Sequence, residues 1–339
     1  MAQSTHPGGM AFTPDSPESL PTLPSTAASE LWDGIVVGGG VSGLSAALAL
    51  GRSLRRVLVL DTDEPRNRHA EHMHTVLGHE GTPPQVLLRR GRQEAAGYGA
   101  LFHQARVVQV AESSAEAGHR TMVVTLAGGE QLFARTVIAA TGVVDRLPEL
   151  PGLAERWGRS VLHCPYCHGW EVRHQRLGVL ATSPLALHQA ELLRQWSDQL
   201  TFFSAGAGEL KEPIVRRLAA RGVIVEPSAV TEVHGEGEAV SAVQLEDGRR
   251  IAVDALFTAG RLLPNDHFLS GLRLKRAENP VGSFLEVDQG GRTSHERVWA
   301  PGNLSNPMAN VPTAISTGTM AGATANMAMV TEDFDLAAG

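Results

Sequence analysis

Residues 32–61 read WDGIVVGGGVSGLSAALALGRSLRRVLVLD, and this stretch decides the fold. It opens with an apolar run, suited to a buried parallel strand, that ends at Val37. A glycine-rich turn occupies 38–43, and an Ala/Leu-rich segment over 44–50 predicts a helix. The order strand, glycine turn and helix is typical of a dinucleotide-binding unit.

Three glycines of the turn have separate physical uses. Gly38 permits the tight turn, Gly40 lets the backbone approach a pyrophosphate, and Gly43 lets the helix pack on the strand. Val41 and Ser42 stand at the helix N-terminus, where free N–H groups favour an anion. These residues form the first half of a predicted nucleotide site.

A second strand is predicted over 56–60, and it ends at Asp61. An acidic residue about 20 positions past the turn is placed to accept hydrogen bonds from an adenosine ribose. The motif therefore has its strand, helix, strand and acid in the expected order.

Length, charge and composition limit the domain number and the partners that we expect for this protein. A length of 339 residues predicts two domains at roughly 100 to 200 residues each. Lys plus Arg total 29 against 36 for Asp plus Glu, a net charge of −7, so we expect neither nucleic acid nor a membrane as partner. Residues 1–30 are rich in Pro, Ser and Thr without the pattern of a signal peptide, and they predict a flexible tail on a soluble, cytoplasmic protein.

Both cysteines of the chain lie in 163–171, which reads HCPYCHGWE. Thiols at this spacing can close a small disulfide, and a helix starting here would stabilise a thiolate at Cys164. Pro165 suits a first helical turn, and His168 can take a proton from a thiol. Cys164, Cys167 and His168 are the candidate catalytic residues.

Other chemistries fit the same string. A CxxC pair can be half of a zinc site, with His163 and His168 as further candidates, although a second cysteine pair is missing. CxxCH is also the attachment motif of c-type haem, which usually accompanies export and a small helical fold. A surface dithiol without function is the third alternative. We expect no metal.

Two further segments point to a known family. Residues 136–142 read TVIAATG, and 298–303 read VWAPGN. With the glycine turn and the dithiol, they resemble the low-molecular-weight thioredoxin reductase-like family of FAD-dependent disulfide oxidoreductases, from residue 32 onward. The dithiol string is most similar to the branch of gliotoxin- and holomycin-type dithiol oxidases.

The resemblance implies FAD as cofactor and several more residues near it. These are Thr141, Gly142, Gly302, Asn303, Thr313 and Ala314, with Arg66 and Asn67 toward the adenosine side. It places the histidine-rich loop 69–79 along the flavin rather than around a metal. The family pattern has Gly-Asp where this chain has Gly302-Asn303, but an Asn can still hydrogen-bond a ribityl hydroxyl, so we expect the flavin to be retained.

The resemblance also implies roles within the dithiol. Cys167 would lie against the flavin and form the charge-transfer thiolate, while Cys164 would exchange with substrate. His168 stands where ordinary reductases of the family have Asp, and it would be the acid/base. A homodimer is implied by the same resemblance.

A second nucleotide site, which binds NADPH in related reductases, is degraded here. Its turn, residues 181–186, reads ATSPLA and has none of the phosphate-loop glycines, so β-carbons occupy the place where the backbone must approach pyrophosphate. The basic cluster expected after the strand at 200–203 is missing. NADPH binding is therefore doubtful.

These observations favour oxidation of dithiols to disulfides with dioxygen as acceptor. The alternative is a thioredoxin-disulfide reductase that uses NADPH or another donor, and a third hypothesis is a redox-sensing flavoprotein without turnover. The partner would be a small-molecule dithiol or a thioredoxin-like protein.

The fold prediction is α/β, with two three-layer Rossmann-like domains, the second inserted in the first. The flavin domain would comprise 31–150 and 259–339, with a short C-terminal tail. The inserted domain, 151–258, would carry the dithiol.

Overall fold

The computed structural model describes residues 30–113 and 121–339. The predicted flexible tail, 1–30, lies outside the described residues apart from Glu30. The helices are α1 (Val41–Arg52), α2 (Pro84–Gly97), α3 (Pro165–His168), α4 (Ala186–Leu193), α5 (Glu212–Ala219) and α6 (Val311–Ala338).

The strands fall into several sheets, and their bounds are as follows. They are β1 (Leu31–Val37), β2 (Val57–Asp61), β3 (Leu101–Gln104), β4 (Val107–Glu112), β5 (Met122–Leu126), β6 (Gln131–Ala139), β7 (Val143–Arg146), β8 (Val161–Leu162), β9 (Leu177–Leu180), β10 (Leu200–Phe203), β11 (Ile224–Glu226), β12 (Val230–His234), β13 (Ala242–Leu245), β14 (Arg250–Ala252), β15 (Ala255–Thr258), β16 (Arg261–Pro264), β17 (Arg276–Asn279), β18 (Gly282–Leu285) and β19 (Val298–Trp299).

The first sheet has the order β3-β2-β1-β6-β5-β4, and β19 also pairs with β6. Its centre is parallel, because β1 lies between β2 and β6 in parallel register. Successive residues of β1 enter different cores: Val36 packs toward α1 and α6, whereas Ile35 and Val37 pack on the opposite face. Burial on both faces explains why this strand is a continuous apolar run.

The second sheet has the order β11-β10-β9-β15-β8, and all its pairings are parallel. One face packs on α4 and α5, and the other packs on the antiparallel sheet β12-β13-β14. Within the sheet, Phe202 and Phe257 are completely buried. This unit has its own hydrophobic core.

Two antiparallel strands, β7 and β16, connect the units. The chain leaves the first sheet through β7 and returns through β16, so the second unit is inserted in the first. The predicted α/β class with two Rossmann-like units is confirmed. The residue boundaries of the domains stay predictions.

Helix α6 lies directly against α1 because small residues face it. A β-carbon on Gly318 would overlap the carbonyl oxygen of Ser42, and one on Gly322 would lie 2.6 Å from that of Ala46. Over the described ranges, no helix combines the length and apolar character needed to cross a bilayer, α6 included. The close contact of α6 with α1 fixes where the N-termini of both helices lie.

Replacement of Gly318 by Ala should destabilise the fold by roughly 1–3 kcal/mol, because the added methyl meets backbone that cannot move aside. Gly97, at the end of α2, is the matched control, since a β-carbon there meets no described atom within 4 Å. Gly97→Ala should change stability by less than about 1 kcal/mol. Urea unfolding of both variants measures this, and equal losses would contradict the packing argument.

Candidate active site

The glycine turn between β1 and α1 is dictated partly by the protein's own packing. Gly38 has φ +106°, and a β-carbon on it would lie 2.5 Å from the carbonyl oxygen of Ala140. A β-carbon on Gly43 would overlap the carbonyl oxygen of Gly38. Helix α1 begins at Val41, earlier than predicted, so the turn is shorter than the sequence indicated.

Gly40 differs from its neighbours. Its φ is −71°, which any residue tolerates, and a β-carbon on it would meet no described atom within 4 Å. Within the described residues, no side chain caps α1. The turn therefore presents uncapped helical N–H groups beside open space, which is the arrangement that a pyrophosphate requires. The residues present fit a bound dinucleotide.

Asp61 lies at the tip of β2 beside this turn. A β-carbon on Gly39 would lie 2.5 Å from Asp61 Oδ2. The same oxygen accepts a hydrogen bond from Arg92 Nη2 at 2.9 Å, and that nitrogen also donates to Asp63 Oδ1 at 2.7 Å. Asp61 is thus held where the motif predicts a ribose acceptor, and the ribose contact itself stays a prediction.

The C-terminal segment of the predicted site converges on the same place. Gly302 has φ +71°, its N–H donates to Thr317 Oγ1 at 3.1 Å, and a β-carbon on it would lie 2.8 Å from Ser42 Oγ. Thr313 lies in the first turn of α6, and Ala314 is buried beside it. The structure therefore brings the turns at Gly40 and Gly302 together around the N-terminus of α1.

Thr141 and Gly142 lie where the chain leaves the first sheet. Thr141 Oγ1 donates to the carbonyl oxygen of Asn265 at 2.7 Å, and Asn265 Nδ2 donates back to that of Thr141 at 3.0 Å. Gly142 has φ +64°. These bonds tie the two connecting chains to each other, and flavin contact by Thr141 and Gly142 stays a prediction.

Cys164 and Cys167 form a disulfide with their Cα atoms 5.2 Å apart. Cys164 is the N-cap of α3, and its carbonyl oxygen accepts hydrogen bonds from the N–H groups of Cys167 at 3.1 Å and His168 at 3.2 Å. Pro165 occupies the first turn, as predicted. Four consecutive residues of the motif thus form one helical turn that fixes both sulfurs.

His168 closes that turn. Burial, the largest effect, lowers the pKa of His168 below its ordinary value, and Glu171 partly opposes the shift. Among the described residues, no hydrogen-bond partner meets its buried Nδ1 atom. A neutral imidazole with an unpartnered nitrogen, next to the disulfide in the chain, is suited to accept a proton from a thiol.

The histidine-rich loop packs against the dithiol segment. His74 Nδ1 lies 2.7 Å from Glu80 Oε1, and His74 Nε2 lies 3.5 Å from Glu171 Oε1. A β-carbon on Gly158 would lie 2.6 Å from His69 Cβ. Within the described ranges, no group of three or more His, Cys, Asp or Glu is arranged to hold a metal ion. The loop joins the flavin-domain side to the segment that carries the disulfide.

Arg66, which the resemblance places toward the adenosine, pairs with an acidic residue of β7, and its contact with the cofactor stays a prediction. Its Nε and Nη2 atoms donate to the two carboxylate oxygens of Asp145 at 2.6 and 2.7 Å. The pair lies near His163, whose pKa is lowered mainly by burial and then by the charge of Arg66. The sequence analysis assigned no role to Asp145 and considered His163 only as a candidate zinc ligand. The flavin contact of Asn67 stays a prediction.

The degraded second turn lies close to the loop that follows β10. A β-carbon on Gly206 would overlap the carbonyl oxygen of Ala181, so the loop after β10 lies directly on the loop after β9. The N–H groups of Ala186 and Leu187, at the start of α4, donate to the carbonyl oxygens of residues 183 and 184 at 3.1 and 3.2 Å. Two N–H groups at the start of α4 are thus hydrogen-bonded within the turn.

The arginines that follow are also engaged elsewhere. Arg217 on α5 pairs with Glu191 at 3.1 Å, and Arg216 lies 3.5 Å from Glu212. Helix α4 ends at Leu193. The inserted unit keeps the Rossmann-like architecture, while its nucleotide edge lacks the expected turn.

Sequence comparison gives the family. Residues 32–318 match the family described as pyridine nucleotide-disulphide oxidoreductase. Thioredoxin reductase sirT of Leptosphaeria maculans is 33% identical over 314 residues, covering 87% of this chain and 94% of that protein. Thioredoxin reductase tcpT of Claviceps purpurea is 28% identical, covering 90% and 96%.

Solved structures agree with this result. The crystal structure of HlmI is 40% identical and superimposes with a TM-score of 0.85, covering 91% of this chain and 95% of that one. An oxidoreductase from Agrobacterium tumefaciens is 37% identical with a TM-score of 0.82, covering 89% and 99%.

Gly40→Val should leave the apoprotein as stable as wild type but abolish retention of FAD, because the new side chain fills space that only a ligand needs. Thermal unfolding of the apoprotein and flavin content after purification measure the two effects. A variant that retains FAD at the wild-type stoichiometry would contradict the assignment of this cradle.

The match over most of the chain, two Rossmann-like units and a Cys-Pro-Tyr-Cys disulfide on a helical turn lead to one conclusion. The chain belongs to the pyridine nucleotide-disulphide oxidoreductase family and is a thioredoxin reductase-like thiol–disulfide oxidoreductase.

Proposed function

We propose that this enzyme is an FAD-dependent dithiol oxidase, which converts a dithiol to a disulfide and delivers the electrons to dioxygen. The observation that supports this direction is the second nucleotide turn, where residues 181–186 read ATSPLA without glycines and the N–H groups of Ala186 and Leu187 are hydrogen-bonded within the turn. Without NADPH as donor, electrons must enter through the Cys164–Cys167 pair. Oxidation of a thiol substrate is the reaction that supplies them.

FAD fits the first nucleotide site for two reasons. The open space at Gly40, beside the uncapped N-terminus of α1, suits a pyrophosphate. Asp61 at the tip of β2 is placed for the ribose, and the Gly302 turn borders the same helix terminus. When bound, FAD supplies a two-electron acceptor that can be reoxidised by dioxygen to give hydrogen peroxide.

The exchange chemistry needs only residues of the dithiol segment. A substrate thiolate attacks Cys164 Sγ, the Cys164–Cys167 bond breaks, and Cys167 leaves as a thiolate. The second substrate thiol then attacks the substrate sulfur of the mixed disulfide, so the product disulfide forms and Cys164 is released. The substrate loses two electrons and two protons, and the enzyme disulfide is reduced to a dithiol.

His168 is the proton acceptor in this scheme. Its lowered pKa keeps the ring neutral near pH 7, so it can take a proton from an attacking thiol and return it later. Closing the Cys164–Cys167 disulfide again releases two electrons to the flavin site, and dioxygen takes up two electrons and two protons. One dithiol is thus oxidised for each hydrogen peroxide formed.

The same proposal covers the substrate, the location in the cell and the oligomeric state. We propose a small-molecule dithiol as substrate, a cytoplasmic location and a homodimer. A thioredoxin-like protein is the alternative partner, and two related proteins bear the name thioredoxin reductase.

Under anaerobic conditions, excess NADPH should leave the flavin absorbance of the purified enzyme unchanged, whereas a small dithiol should bleach it, and air should restore it. Cys164→Ser is the matched control, since it keeps the fold but removes the exchanging sulfur, and it should not be bleached by dithiol. Rapid bleaching by NADPH would make the enzyme a thioredoxin reductase. If the Cys164→Ser protein still performs its function in the cell, a redox-sensing flavoprotein without turnover would be favoured.

The rate at which a dithiol reduces the enzyme's flavin under anaerobic conditions should fall as pH is lowered through the pKa of His168. That pKa lies below the usual value of about 6.5. Protonation removes the acceptor, so the loss appears on the acid side. His168→Gln should be slow and should lack this inflection, while His72→Gln, an exposed histidine of the neighbouring loop, should keep it. An unchanged acid limb in His168→Gln would exclude His168 as the base.

A further inference from the structure

The side-chain amide of Asn303 donates hydrogen bonds to backbone oxygens of the loop that follows it. Its Nδ2 atom lies 3.1 Å from the carbonyl oxygen of Asn306, 3.1 Å from that of Pro307 and 2.9 Å from that of Ala309. Backbone oxygens of the segment 306–309 therefore converge on one amide nitrogen. Such a convergence is favourable only around a hydrogen-bond donor.

The loop that Asn303 holds leads into α6. Ser305 Oγ donates to the carbonyl oxygen of Ala300 at 2.6 Å, which ties the start of the loop to the end of β19. Asn310 caps α6 by accepting from the N–H of Thr313 at 3.1 Å. The position of the α6 N-terminus relative to Gly302 thus depends on how residues 304–310 are folded.

The side chains of the other two asparagines of this loop, Asn306 and Asn310, accept hydrogen bonds instead of donating them. Asn306 Oδ1 accepts a hydrogen bond from the N–H of Met308 at 3.1 Å. Asn310 Oδ1 accepts from Thr313 N and from Thr313 Oγ1 at 2.8 Å. An aspartate could serve at both positions because a carboxylate is also an acceptor.

An aspartate could not serve at position 303. A carboxylate has no donor, so its oxygen would face three carbonyl oxygens at the distances where the amide nitrogen now lies. The side chain would have to turn away, which leaves the carbonyl group of Ala309 and its neighbours without their present donor.

We propose that Asn303 is a positioning residue of the flavin site that must be an amide, because its nitrogen fixes the loop 304–310 and the N-terminus of α6. This inference rests on the proposed function for the identity of the cofactor. It reverses the expectation from the family pattern, in which Asp occupies this place, because in this chain Asp would weaken the site rather than restore it.

The test compares three variants by FAD titration of the apoprotein and by its thermal unfolding without cofactor. Asn303→Asp should weaken FAD binding by roughly tenfold or more and lower the unfolding temperature of the apoprotein, since hydrogen bonds are replaced by repulsion. Asn303→Ala, which removes the donor without adding charge, should fall between Asn303→Asp and wild type. Asn306→Asp introduces the same charge nearby and should bind FAD within about twofold of wild type.

The order of affinities decides the outcome. Wild type above Asn303→Ala, with Asn303→Asp lowest, supports the inference, and Asn303→Asp equal to or above Asn303→Ala would overturn it. If Asn303→Asp does not fold, the other two variants decide. Weaker FAD binding by Asn303→Ala than by Asn306→Asp still supports the inference, and equal FAD binding by these two variants overturns it. Failure of wild type to bind FAD would instead refute the proposed function.

Discussion

Close approach of backbone to backbone around the N-terminus of α1 is the constraint on which the rest of the structure depends. Gly43 lets α1 pack against Gly38, and Gly318 lets α6 pack against Ser42. With no β-carbons at these contacts, the turn before α1, the tip of β2 and the Gly302 turn border one space. Among the described glycines of the turn 38–43, Gly40 alone has no atom within 4 Å of where a β-carbon would lie, and that difference marks where a ligand belongs.

The disulfide lies at the junction of the two units, so its position depends on contacts from both. The segment that carries it is held by contacts from the first unit, including His74 with Glu171 and Arg159 with Glu71. The inserted unit retains its parallel sheet, but its nucleotide turn, 181–186, has no glycine. This difference from the glycine turn of the first unit is why we favour electron entry through the dithiol.

The sequence predicted the elements whose residues have local physical reasons. The β1 run, Asp61 and the helical turn at Pro165 follow from burial and helix capping, and they lie as expected. The glycine turn follows from backbone freedom, but it is shorter than predicted because α1 begins at Val41. Contacts between distant segments could not be predicted, because nothing in the order of residues pairs Arg66 with Asp145 or His74 with Glu171. For the same reason the sequence could not show that the amide nitrogen of Asn303 donates to the loop that follows it.

Oxygen uptake by the holoenzyme supplied with a small dithiol, in the absence of any nicotinamide, tests the central claim most directly. The account predicts one dioxygen consumed and one hydrogen peroxide formed for each dithiol oxidised, with no change when NADPH is added. Oxygen uptake that requires NADPH, or disulfide reduction at the expense of NADPH, would contradict it.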